Sequence, residues 1–343
     1  MPIALLKLPF LIQQSICREL NHSQLTTMSF CSLMMRRLIE FLHLKVPKVH
    51  YKKLDMGFRC DLGFDEEVKK VLVIRERSKW LRKDTQKINL GGVKIQVRFS
   101  SKHDERGNTY YIIDVPRIDG TIERSVQKHI NSLFRYSGTS SVKIEQTSCL
   151  TRLPRFRNVT DSLIRGERID VKVLERYFTK NPNHYSANIQ AVVDSEIPED
   201  SKIWNIGRLS IRNQTSVGTC LRRFSGQHLH LRNVHSDASD VAFLLDEWVS
   251  NRAFRQLKTL FIRWKSSHWP AYYEIMDRLE LTRRKRVERA TRLAYNTEII
   301  HMKSSHLKVG EEDVYIIERI DGKEAFLYCC PDVVWLFVHD EPK

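Results

Sequence analysis

Leu8, Ile12, Ile16 and Leu20 recur at every fourth position, which places them on one face of a helix. Pro9 suits the first turn of that helix, where its missing N–H would have no partner anyway. Asn21-His22-Ser23 breaks the pattern, and Leu25 and Met28 open a second short run. Cys31, Met34, Met35, Leu38 and Leu42 form a third apolar stripe that stops before Pro47. Three helices this short cannot bury so much apolar surface among themselves. The excess predicts a binding face, because large exposed apolar patches on soluble chains mark partners.

Beyond Pro47 the period changes from helical to alternating. Ile88 and Leu90 precede Gly91-Gly92, and Val93, Ile95, Val97 and Phe99 follow it. Two alternating runs around a Gly-Gly turn predict a β-hairpin, since both turn positions need positive φ. Gly107-Asn108 marks another turn, and residues 110–115 a further strand, so a small antiparallel β segment is expected over 47–120. The Arg117-Ile118-Asp119-Gly120 and Asp321-Gly322 segments both read as turns.

From about residue 121 the pattern becomes α/β. Ile122, Val126, Ile130, Leu133 and Phe134 have helical spacing, followed by a short strand at Val142-Lys143-Ile144. Val173, Leu174 and Phe178 predict a helix, and residues 189–193 a strand. Leu209-Ser210-Ile211-Arg212-Asn213 then recurs as Leu229-His230-Leu231-Arg232-Asn233 and as Leu260-Phe261-Ile262-Arg263-Trp264. Between the second and third copies, Val241, Leu244, Leu245, Trp248 and Val249 make a core-facing helical stripe. Strand, helix and strand in this order predict parallel pairing through crossover helices, as an irregular stack of leucine-rich-repeat-like units. Residues 314–319 with the Asp321-Gly322 turn predict a closing hairpin, and 333–338 a last strand.

Leu5-Leu6-Lys7-Leu8-Pro9, followed by Ile16, Leu20, Leu25, Ser29, Cys31 and Ser32, resembles an F-box, the helical module that docks substrate receptors onto the adaptor of SCF-type ubiquitin ligases. Leu11 stands where many F-boxes carry an acidic residue. Trp204-Asn205-Ile206-Gly207-Arg208-Leu209-Ser210-Ile211, leading into the β/α units after an F-box, resembles the nematode F-box proteins with a type 2 F-box-associated domain. The resemblance implies adaptor contacts from Leu6, Leu8, Pro9, Ile12, Ile16, Leu20 and Leu25. It also implies partners in the adaptor, a cullin behind it and an unidentified protein substrate. Residues 1–46 are expected to suffice for adaptor binding.

Composition narrows the alternatives. Hydrophobic content of 41% with 29% charged residues is that of a globular chain, and no apolar window is long enough to span a membrane. Lys7 interrupts the apolar start, so it does not read as a signal peptide. Seven scattered cysteines without a Cys-x-x-Cys pair argue against a disulfide framework or thiolate zinc site and fit a cytoplasmic or nuclear location. A net charge of +16 makes a basic nucleic-acid-binding protein the alternative reading. No reader motif accompanies that charge, and its one dense cluster, Arg283-Arg284-Lys285-Arg286, reads as the wet face of a helix. Phosphate-loop, dinucleotide, hydrolase and zincin motifs are all missing, so no catalytic residue, cofactor or metal is expected. His228 and His230 read as polar-face strand residues, because nothing nearby completes a metal set.

The expected fold is therefore α+β or α/β: an N-terminal three-helix F-box (1–46), a β-hairpin connector (47–120), a repeat-like β/α substrate-binding domain (121–275), and a C-terminal helix with closing hairpin (276–343). Substrate contacts are expected where loops follow the repeat strands, with Arg212, Arg232, Arg263 and His268 as candidates. The three arginines lie one step past the apolar positions. They should align outside the core as a strip for acidic or phosphorylated protein segments.

Overall fold

The structure is a computed structural model and describes residues 5–64, 67–77, 85–105, 107–145, 149–212, 218–235, 238–265, 269–280, 292–294, 306–308 and 314–339. The mixed α/β class expected from the sequence holds. The chain divides into two compact units, Met1–Gln146 with Leu153–Asp161, and Thr147–Arg152 with Ser162–Lys343.

In the first unit, helices α1 (Phe10–Glu19), α2 (His22–Met28) and α3 (Leu33–Phe41) precede strands β1 (Lys45–Leu54), β2 (Gly57–Phe64), β3 (Glu67–Glu76), β4 (Gln86–Leu90), β5 (Val93–His103) and β6 (Thr109–Val115). Helix α4 (Gly120–Leu133) and strand β7 (Arg135–Glu145) complete it. The sheet order is β7-β1-β2-β3-β6-β5-β4, with β1–β7 and β3–β6 parallel and the other pairs antiparallel. The β segment is thus a mixed sheet rather than a small antiparallel one. Its first three strands carry charged residues within their apolar alternation, lysines in β1 and β3 and Arg59 and Asp61 in β2. Residues 142–144 belong to an eleven-residue strand whose partner, β1, lies far back in the chain.

Local chemistry explains the helix ends. Asn21-His22-Ser23 breaks the first stripe because Asn21 and Gln24 form a reciprocal capping box that starts α2. Asp119 caps α4 by accepting from the Thr121 and Ile122 amides, so Asp119-Gly120 is a helix start rather than a turn. Tyr51, Phe58, Leu62, Leu72, Ile74 and Ile113 are buried. Tyr51 stacks on Phe156 at 4.2 Å, and Phe58 meets the same ring edge-on at 5.4 Å. The Ser23 hydroxyl donates to the Val71 carbonyl, which ties α2 to β3.

The second unit runs β8 (Asp161–Arg165), β9 (Arg168–Ile169), α5 (Val171–Lys180), β10 (Ser186–Ile189), β11 (Val192–Val193), β12 (Arg208–Arg212), α6 (Gly218–Arg223), β13 (His228–Val234), α7 (Ala238–Val249), β14 (Thr259–Trp264) and α8 (Trp269–Arg278). Strands β15 (Arg292–Ala294) and β16 (His306–Lys308) pair with each other, and β17 (Val314–Glu318), β18 (Glu324–Cys330) and β19 (Val333–Val338) follow. The main sheet is ordered β8-β10-β12-β13-β14-β19-β18-β17. Strands β10, β12, β13 and β14 are parallel, and β19, β18 and β17 add on antiparallel. The closing hairpin around Asp321-Gly322 and the last strand over 333–338 form as expected, and together they make a three-stranded meander docked on β14. Val241, Leu244, Leu245 and Trp248 of α7 are all fully buried, as their spacing requires.

Candidate functional site

Helix α1 buries only Cys17. Phe10, Leu11, Ile12 and Ile16 are exposed, with Leu11 73% exposed. Leu33, Met34 and Phe41 on α3 are exposed as well, and Phe41 meets Phe10 edge-on at 5.2 Å, which joins the two helices into one apolar surface. The remaining residues of α3 explain why it stays folded there. Met35, Leu38 and Ile39 are buried, Ser32 caps the helix, and Arg36 reaches Glu40 and the Ser132 hydroxyl, both at 2.8 Å.

Of the expected adaptor contacts, Leu6, Pro9, Ile12 and Ile16 are exposed and Leu8 and Leu20 half-buried. Leu25 is only 2% exposed, so it belongs to the core and leaves the contact set. Phe10 and Leu11 are exposed on α1 but lie outside the expected set, because a four-residue stripe selects one side of a helix and α1 is apolar on more than one. Helices α2 and α3 share their core with the rest of the unit. Ser29 bonds His129 at 2.7 Å, and Phe30 stacks on the same ring at 4.3 Å. Residues 1–46 therefore do not bury their apolar surface by themselves.

In the second unit the repeated segments align residue for residue. Leu209, Leu229 and Leu260 pair across β12, β13 and β14, as do Ile211, Leu231 and Ile262, and all six are buried. The alternate positions form the other face of the sheet. One row runs Ser210, His230, Phe261 and Trp335, and the next runs Arg212, Arg232, Arg263 and Val333. Arg212 and Arg263 are exposed, Arg232 is half-buried and lies over the Phe261 ring at 5.5 Å. The three arginines thus come together in one ladder. His268 and Arg283–Arg286 lie outside the described residues. Asn233, after the second arginine, adopts φ 52° at a register shift.

His228 and His230 are buried rather than facing water, which corrects the polar-face reading. Their periodicity is right, but the large side chains beside them close over the row. His228 Nδ1 lies 2.9 Å from the Thr259 hydroxyl, and His230 stacks against Phe261. Burial, reinforced by Arg232 and His228, lowers the His230 pKa to about 3, so the ring is neutral. Phe261 meets Trp335 edge-on at 5.1 Å, and Trp264 is core. Among the described residues no group of three His, Cys, Asp or Glu side chains is placed to hold a metal ion. No helix among them is long and apolar enough to cross a membrane. No protein-family model, curated protein or solved structure matches the chain.

Proposed function

We propose that this chain is a non-catalytic substrate receptor of an SCF-type ubiquitin ligase. In this reading the first three helices are an F-box that docks the adaptor, and the leucine-rich-repeat-like units of the second unit hold a protein substrate. The observation that carries it is α1, a ten-residue helix with a single buried residue and four exposed large apolar ones. Such a face is costly in water and stable once a partner covers it. The mechanism is tethering: held substrate lysines reach a high effective concentration beside the charged conjugating enzyme. Substrate ubiquitination then needs no chemistry from this chain.

The test is calorimetric titration of the full chain with the purified adaptor. Interface energy concentrates in a few anchors, so Ile12→Ser with Ile16→Ser should weaken binding by about 2 kcal/mol or more. Both residues are exposed, so the melting temperature should stay within a degree or two of wild type. Undiminished adaptor binding by the folded double variant would remove the F-box reading.

A further inference from the structure

We infer that the Arg212–Arg232–Arg263 ladder, through its exposed members Arg212 and Arg263, captures carboxylates of an acidic protein segment. This rests on the receptor reading for its biological meaning, and it names the class of substrate.

The argument starts from a cost. Like charges directly opposite one another on neighbouring strands repel, and here three cations stand in register. The first unit contains the same device with its remedy built in. Lys143, Lys52 and Arg59 face one another across β7, β1 and β2. There Glu145 sits between the two lysines, at 2.6 Å from Lys52 and 3.0 Å from Lys143, and Asp61 lies 2.7 Å from Arg59. The chain thus supplies carboxylates wherever that ladder needs them. Arg212 and Arg263 have no such acid among the described residues, although both are exposed and able to meet one. These two exposed guanidiniums are open to an anion from outside.

Geometry selects the anion. Neighbouring strands lie about 4.8 Å apart, so the outer arginines are separated by about 10 Å. That is the reach of about three residues of extended chain. A guanidinium pairs bidentately with a carboxylate, so a short Asp/Glu run can engage both exposed arginines, Arg212 and Arg263. The surroundings favour protein over nucleic acid. Single-stranded nucleic acid needs open aromatic faces for its bases, whereas Phe261 lies under Arg232 and Trp335 is almost completely buried. Val333 beyond Arg263 offers an apolar neighbour instead.

The test is fluorescence anisotropy of the full chain at physiological salt, with three labelled probes. These are a peptide carrying an uninterrupted Asp/Glu run, its Asn/Gln counterpart, and a single-stranded RNA of about ten nucleotides. The acidic peptide should bind at least about tenfold more tightly than either other probe. R212Q/R232Q/R263Q should abolish that preference, and because Arg232 packs over Phe261 its folding is checked by the melting temperature. Should the triple variant not fold, R212Q and R263Q, each at an exposed position, should separately weaken peptide binding. Equal binding of the acidic and amide peptides, tighter binding of the RNA, or full peptide binding by the folded arginine variants would each overturn the inference. No adaptor is present in the measurement, so failure of adaptor docking on α1 leaves its outcome intact.

Discussion

His129, His184 and His230 are each buried, and each keeps a hydroxyl within hydrogen-bonding range: Ser29 at 2.7 Å, Ser162 at 2.9 Å and Thr259 at 3.4 Å. Burial is the main cause that lowers their pKa values from 6.5 to about 3, 4 and 3. Below pH 6.5 the unfolded chain therefore binds protons that the folded chain refuses. Stability is complete above that pH and drains as pH falls from 6.5 towards 4, at about 1.4 kcal/mol per histidine per pH unit. One such histidine lies in the first unit and two in the second, so calorimetry should show both units melting lower at pH 5 than at pH 7. His129→Gln should flatten that dependence in the first unit alone. A melting temperature indifferent to pH between 7 and 5 would contradict this assignment of neutral, buried rings. The His228–His230 alternation was visible in the sequence. Their burial was not, because it depends on Phe261 and Thr259 from a strand some thirty residues away.

Elements that depend on short-range chemistry were the most legible. The Gly91-Gly92 turn joins β4 and β5 as expected, with φ of 57° and 100°. What the sequence could not show is that Gly91 also touches another element: a Cβ there would lie 2.2 Å from the Ser125 carbonyl oxygen on α4. Gly91→Ala combines an unfavourable backbone conformation with that clash. It should destabilise the first unit by about 1–3 kcal/mol or more in chemical denaturation. Gly92→Ala meets only the tip of Lys128 and should cost less. Helix α1 shows the complementary limit. Its spacing predicts a helix, but the same stripe would serve equally well against a core or against solvent. The strands β12, β13 and β14 fall where their repeated Leu-x-Ile/Leu-Arg pattern places them, because each buries the apolar positions on one face and so fixes its own register.

At the scale of the whole molecule, the excess of 57 basic over 41 acidic residues is distributed unevenly in its consequences. In the first unit, carboxylates answer the cations: Asp114, almost fully buried, binds Arg75 at 2.7 Å, and Glu145 holds two lysines. Burial opposes the Glu145 charge, yet hydrogen bonds from Lys52 and Lys143 outweigh it and keep the pKa at about 2. Cations held this way contribute little to a phosphate backbone, so nonspecific DNA binding should be weak. It should show a shallow dependence of log affinity on log salt and vanish by physiological ionic strength, as a filter-binding salt series will show. Tight binding at that salt would favour the nucleic-acid alternative. The sequence by itself determined the helical opening, the hairpin turn, the three repeated strands and the placement of their arginines one step beyond the apolar positions. Local spacing and turn residues carry those features, since they involve neighbours within a few positions. Only the tertiary structure decided that β1 pairs with β7, that Leu25 turns inward while Leu11 and Met34 stay exposed, and that Glu145 stands between Lys52 and Lys143. Each of those outcomes depends on which distant residue closes over a side chain or places a carboxylate beside it, and chain-distant contacts leave no period in the sequence.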